Sequence, residues 1–133
     1  MSVSRVARFG FTALTIVIGV VQAQQRGGTV QGIIDALNRI LEITVPAKYQ
    51  EGGTYVIPGH GRLADQADVV EYRDMVTIIR DRIQDGVKKG LSLEQVKAVQ
   101  PTLDYDAVFG SSNGSWTTDS FIEAVYKSLN LRK

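Results

Sequence analysis

The sequence predicts a mostly helical piece of an α/β fold, with one short strand and an N-terminal signal helix. Three observations carry this reading. Apolar residues recur at helical spacing in three segments of the chain. One run, Thr54-Tyr55-Val56-Ile57, is β-branched and aromatic, and no second run is present to pair with it. The whole chain has 133 residues, room for one domain and not for two.

The first 23 residues have the three parts of a secretory signal. Arg5 and Arg8 form a basic start, Phe9 to Val21 is an uncharged and mostly apolar stretch, and Val21-Gln22-Ala23 offers small residues for a peptidase. An uncleaved anchor is the competing reading, but a bilayer-spanning helix needs roughly 20 apolar residues. Cleavage after Ala23 and a periplasmic or secreted location are therefore expected, with residues 24–133 as a partial domain. The remaining chain would keep 110 residues, and losing Arg5 and Arg8 turns the formal charge of +1 into −1. With no cysteine it cannot use disulfides, so packing alone must hold it.

The first helix is expected after the flexible Arg26-Gly27-Gly28, with Thr29 as N-cap. Val30, Ile33, Ile34, Leu37, Ile40 and Leu41 form its apolar face, and Pro46 follows its end. Glu51-Gly52-Gly53 reads as a turn, and Thr54–Ile57 as a buried strand of minimal length closed by Pro58-Gly59. The loop Pro58-Gly59-His60-Gly61 is then mounted on the strand's end, where short loops often carry functional groups.

Asp68 with Glu71 reads as a capping box opening a long helix. Val69, Tyr72, Val76, Ile79, Ile83 and Val87 form its stripe, widened by Met75 and Ile78, and Gly90 stops it. Ser92 with Gln95 opens a short helix that ends before Pro101. Asp104 to Ser115 reads as a loop, and a last helix runs from about Thr117 to Leu129. A single strand leaves its backbone donors and acceptors without partners, as though the rest of a sheet were missing.

Composition excludes several classes. A net charge of +1 gives no electrostatic footprint for nucleic acid. Absence of cysteine removes cysteine zinc sites, and the lone His60 removes any multi-histidine site within the chain. Asp104, Asp106, Asn113 and Asp119 could suggest calcium but lack the spacing of an EF-hand loop, so a solvated turn is preferred. Trp116 with Tyr105 is open to two readings, a substrate rim or packing beside a helix start. Lys88-Lys89 suits a helix C-terminus.

From Gly27 onward the chain resembles the C-terminal portion of metallo-β-lactamase-fold hydrolases. Gly27 to Leu37 is similar to the helix before that family's last sheet strand. Thr54-Tyr55-Val56-Ile57-Pro58-Gly59-His60-Gly61 is similar to that strand and the last histidine motif. Asp68 through Arg82, and then Asp104-Tyr105-Asp106 and Trp116-Thr117-Thr118-Asp119, resemble the following helix and the tail of an exported subgroup. The resemblance implies an αββα sandwich as the parent fold, zinc as the parent cofactor, and His60 as a metal ligand. It implies hydrolysis of an ester, thioester or amide-type bond, with zinc lowering the pKa of its bound water.

The departures matter as much as the match. The His-x-His-x-Asp-His half, the middle histidine and the bridging aspartate are all missing. A catalytic zinc normally takes three protein ligands, and His60 supplies one. Asp65 and Asp68 read as loop and cap residues, so the chain by itself is expected to hold no metal stably and to be inactive. The expected partners are a second copy or a complementing N-terminal half, with neither nucleic acid nor, after cleavage, membrane among them. The alternative is a small non-catalytic periplasmic binding protein that reuses the segment.

Overall fold

The computed structural model describes residues 28–59 and 61–130. The expected signal segment lies outside them. Helix α1, Val30–Ile43, begins where Thr29 accepts a hydrogen bond from the Gly32 N–H at 3.0 Å, as the cap chemistry requires. Only Val30 and Ile34 of its apolar face are buried, because α1 meets other helices along one narrow strip. Its C-terminal carbonyls are satisfied from outside: Gln66 Nε2 donates to the Leu41 carbonyl at 3.3 Å and the Thr44 carbonyl at 2.9 Å.

The segment after α1 departs from expectation. Thr54–Ile57 is not a strand, and there is no sheet among the described residues. One isolated antiparallel bridge joins Val56 to Ala64, with N–H to carbonyl distances of 2.7 and 3.0 Å. A strand needs a neighbour along its length, and among the described residues Val56 finds one only at a single point on the chain's own return. Tyr55 and Ile57, expected to be buried, are 62% and 86% exposed. Upstream, Thr54 pairs with Val45 through its N–H at 2.9 Å and its Oγ1 at 3.0 Å, closing the turn between them. Gly53 is required there: its φ is +62°, and an added Cβ would sit 2.8 Å from the Ala47 nitrogen. The expected αββα sandwich is thereby overturned for this chain, which packs helix on helix.

Helix α2, Gln66–Lys88, is the axis of the fold. It opens three residues earlier than the sequence suggests. Asp65 is the N-cap and Asp68 is its N3 partner, each carboxylate accepting the other's backbone N–H at 3.0 Å. Two carboxylates at three-residue spacing serve a reciprocal box as Ser and Glu do, which moves the cap from Asp68 to Asp65. Val69, Met75, Val76, Ile79, Ile83 and Val87 are buried, whereas Tyr72 and Ile78 fall outside the stripe and are exposed. Gly90, at φ +77°, ends the helix with paired bonds from Leu91 N–H to the Gly86 carbonyl and from its own N–H to Val87.

Helix α3, Leu93–Ala98, carries the expected capping box between Ser92 and Gln95 and buries Val96 against Gly86, where an added Cβ would lie 3.1 Å from Val96. The expected loop from Asp104 is partly helical: a 3₁₀ turn, Leu103–Tyr105, runs into the short helix α4, Asp106–Phe109. Helix α5, Thr118–Asn130, buries Ile122, Val125 and Ser128. Ser128 Oγ accepts the Val30 N–H at 3.0 Å, so the end of α5 holds the start of α1. The core draws on α1, α2, α3 and α5 and is wholly aliphatic apart from Met75.

Candidate functional site

Two places in the chain could carry function. The first is the loop from Pro58 to Ala64, closed at its base by the Val56–Ala64 bridge. His60 itself lies outside the described residues. Its neighbours Pro58, Gly59 and Gly61 are exposed, and Gly61 has φ +96°, a conformation suited to glycine. The return limb is tied down by Arg62, whose guanidinium forks onto both oxygens of Asp68, one of them at 3.1 Å.

That fork decides what the nearby carboxylates can do. The hydrogen bond from Arg62, with the backbone N–H of Asp65, holds the Asp68 carboxyl below its ordinary value. Asp68 in turn raises Arg62. Asp65 and Asp68 are occupied as the two halves of a helix cap, and Asp68 also as an ion-pair partner. Among the described residues no group of three or more His, Cys, Asp or Glu side chains comes together. The described residues by themselves offer no three-ligand donor set for zinc.

The acidic residues of the second half are likewise dispersed. Asp104 pairs with Arg82 at 2.7 Å, and Asp119 faces Lys97 at 3.5 Å. Asn113 belongs to a turn around Ser111, whose hydroxyl donates to the Asn113 carbonyl at 2.7 Å. Lys89 bonds Asp85 one turn back at 2.6 Å, and Lys88 lies in the last turn of α2, where the helix dipole favours a cation.

The second place is a cavity of about 140 Å³ between α2, the turn at residues 102–110 and the start of α5. Met75 and Ile79 form part of its buried floor. Tyr72 and Phe109 stand over it with ring centroids 5.9 Å apart and planes tilted by 58°. Trp116, 62% exposed, lines it too, as does Tyr105, whose ring has the Arg82 guanidinium carbon 5.9 Å from its centroid. Arg82 is anchored at 2.8 Å to the Pro101 carbonyl, which holds the turn against α2.

The structure thus brings Tyr105 and Trp116 to one cavity. Sequence reasoning missed Tyr72, Phe109 and Thr102 in this setting. Spacing alone places Tyr72 in the core stripe, and nothing in the sequence links it to Phe109. The apolar residues of segment 43–63 present a different picture: Ile43, Tyr49, Tyr55, Ile57 and Leu63 are all more than half exposed, with no helix over them. No helix among the described residues is long and apolar enough to cross a membrane. Comparison with protein families, with curated proteins and with solved structures finds no match to this chain.

Proposed function

We propose that this chain is a non-catalytic portion of an exported zinc-dependent hydrolase. It carries one ligand, His60, of a site whose other ligands belong to a complementing N-terminal half. The parent reaction would be hydrolysis of an ester, thioester or amide-type bond. The sheet of the parent has no counterpart among the described residues, so the reading concerns descent and the one-histidine loop, not a sandwich in this chain.

One observation carries most of the weight. The segment that bears the Pro58-Gly59-His60-Gly61 motif also exposes large apolar side chains, Tyr55, Ile57 and Leu63 among them. Exposed apolar residues flanking such a loop are what a surface made for a partner leaves behind when the partner is absent. The occupied carboxylates of Asp65 and Asp68 support inactivity of the chain alone.

Zinc stoichiometry on the purified chain tests this, with His60→Ala as control. The expected result is substoichiometric zinc that is indifferent to the substitution. One equivalent of zinc, lost in the variant, would overturn the proposal. A second reading, a small non-catalytic periplasmic binding protein, is favoured by the aromatic cavity, whose lining is drawn from α2, residues 102–110 and residues 111–121.

A further inference from the structure

We infer that the cavity between α2, residues 102–110 and the start of α5 binds a small amine carrying a single aromatic ring. The inference does not depend on descent from a hydrolase, since Pro58, Gly59 and Gly61 are absent from the lining residues.

Size limits the ligand first. About 140 Å³ is close to the roughly 150 Å³ of an engineered apolar cavity that admits benzene, so there is room for one ring. The walls then favour an aromatic body. Tyr72 and Phe109 are already in a tilted pair, and Trp116 leaves most of its surface to solvent instead of packing in the core. A ligand ring seated against Tyr72, Phe109 and Trp116 would gain edge-to-face contacts and cover part of the exposed indole.

Two polar groups select the ligand's functional group. Thr102 is 4% exposed and lines the cavity, and among the described residues its hydroxyl has no hydrogen-bond partner. No fully sealed polar side-chain atom of the described residues lacks a partner, so the Thr102 oxygen, which lacks one, is not sealed off. A buried hydroxyl facing an apolar space is stabilised by a ligand that hydrogen-bonds to it.

Asp106 supplies the charge. Its flanking acids are neutralised, Asp104 by Arg82 and Asp119 by Lys97. Asp106 is half-buried on the cavity rim and, among the described residues, faces no cation. An unpaired carboxylate beside three aromatic rings attracts an ammonium group twice over, by ion pairing and by the ring faces. It repels an anion of the same shape. A polar vestibule formed by Asp106, Ser111, Ser112 and Asp119 continues outward from the cavity and gives the amine an approach path.

Trp116 is the only tryptophan of the chain, so its fluorescence reports directly on occupancy. The experiment titrates the full chain with 2-phenylethylamine, and in parallel with phenylacetate and with ethylamine. The expected result is a saturable change with 2-phenylethylamine at about millimolar concentration, and binding at least roughly tenfold weaker for the other two. Asp106→Asn should weaken the amine about tenfold and leave phenylacetate no worse, while Thr102→Val, which keeps the volume, weakens it severalfold. Circular dichroism on each variant checks that the helices persist. Absence of saturation with 2-phenylethylamine in the unaltered chain would overturn the inference, and so would equal affinity for phenylacetate. Both of these outcomes are measured on the unaltered chain and stand even if a variant fails to fold. Zinc binding plays no part in the readout, so failure here and failure of the hydrolase reading are distinguishable.

Discussion

The helical body and the segment from Thr44 to Ala64 are built from similarly apolar sequence, yet they end in opposite states. In the body, α2 contributes five apolar side chains to a core shared with α1, α3 and α5, and Val76, Ile79 and Ile83 are almost wholly out of solvent. In the segment, Tyr55 and Ile57 face solvent and the backbone makes one bridge. A helix satisfies its hydrogen bonds within itself and needs a neighbour only for one stripe. An extended segment needs a neighbour for its backbone as well. Where no neighbour exists, apolar composition alone does not produce burial.

The largest test of this contrast is a pair of truncations. Ile83→Ala removes a side chain with no exposure and should cost about 2–5 kcal/mol, read from the midpoint of urea unfolding. Ile57→Ala removes one that is 86% exposed and should change stability by less than about 0.5 kcal/mol. A comparable loss at Ile57 would mean that the segment packs in solution, and the contrast would fail.

A pair of glycines gives a smaller effect and locates the order within the segment. Gly53 and Gly90 both have positive φ, but an added Cβ meets backbone only at Gly53, whereas at Gly90 it meets nothing within 4 Å. Gly90→Ala should cost about 1 kcal/mol of strain, and Gly53→Ala more, to about 3 kcal/mol, if the Val45–Thr54 pairing holds the turn closed. Equal costs, measured in the same urea assay, would show that the turn relaxes around the methyl group.

The smallest effect is electrostatic and lies where the two regions meet. The Arg62 fork keeps Asp68 below its ordinary value in the folded chain. A carboxyl depressed by folding adds stability above its unfolded value of about 3.9, and that stability is lost as pH falls through the lower folded value. Arg62→Gln should therefore bring the Asp68 titration, followed by NMR, back toward the ordinary carboxylate range. The acid side of the stability curve should flatten with it. An unchanged titration would show that the Asp65 N–H, and not Arg62, sets the shift. The effect is modest, because Arg62 is largely exposed and solvent screens the pair.

Much of the body is legible in the sequence. The Thr29 cap, the Ser92–Gln95 box, the Gly90 stop and the buried positions Val69, Val76, Ile79, Ile83 and Val87 follow from rules that act over three or four residues. The N-terminus of α2 is displaced because Asp65 and Asp68 satisfy the same box as Asp68 and Glu71, and the choice falls to the pair that also closes on Arg62. Tyr72 escapes a reading by periodicity because its spacing is correct for the stripe, while its ring turns to Phe109, 37 residues away.

The sequence by itself determined the helices, most of their caps and the stripe on α2, since each depends on neighbours within one or two turns. It also determined that at most one histidine could serve a metal, since that is a matter of count. Only the tertiary structure decided that Thr54–Ile57 makes a bridge instead of a strand, and that Tyr72, Thr102, Asp106, Phe109 and Trp116 line one cavity. Both depend on residues brought together from distant parts of the chain. Periodicity carries no record of such partners, because it encodes which side of an element is apolar and not what covers it.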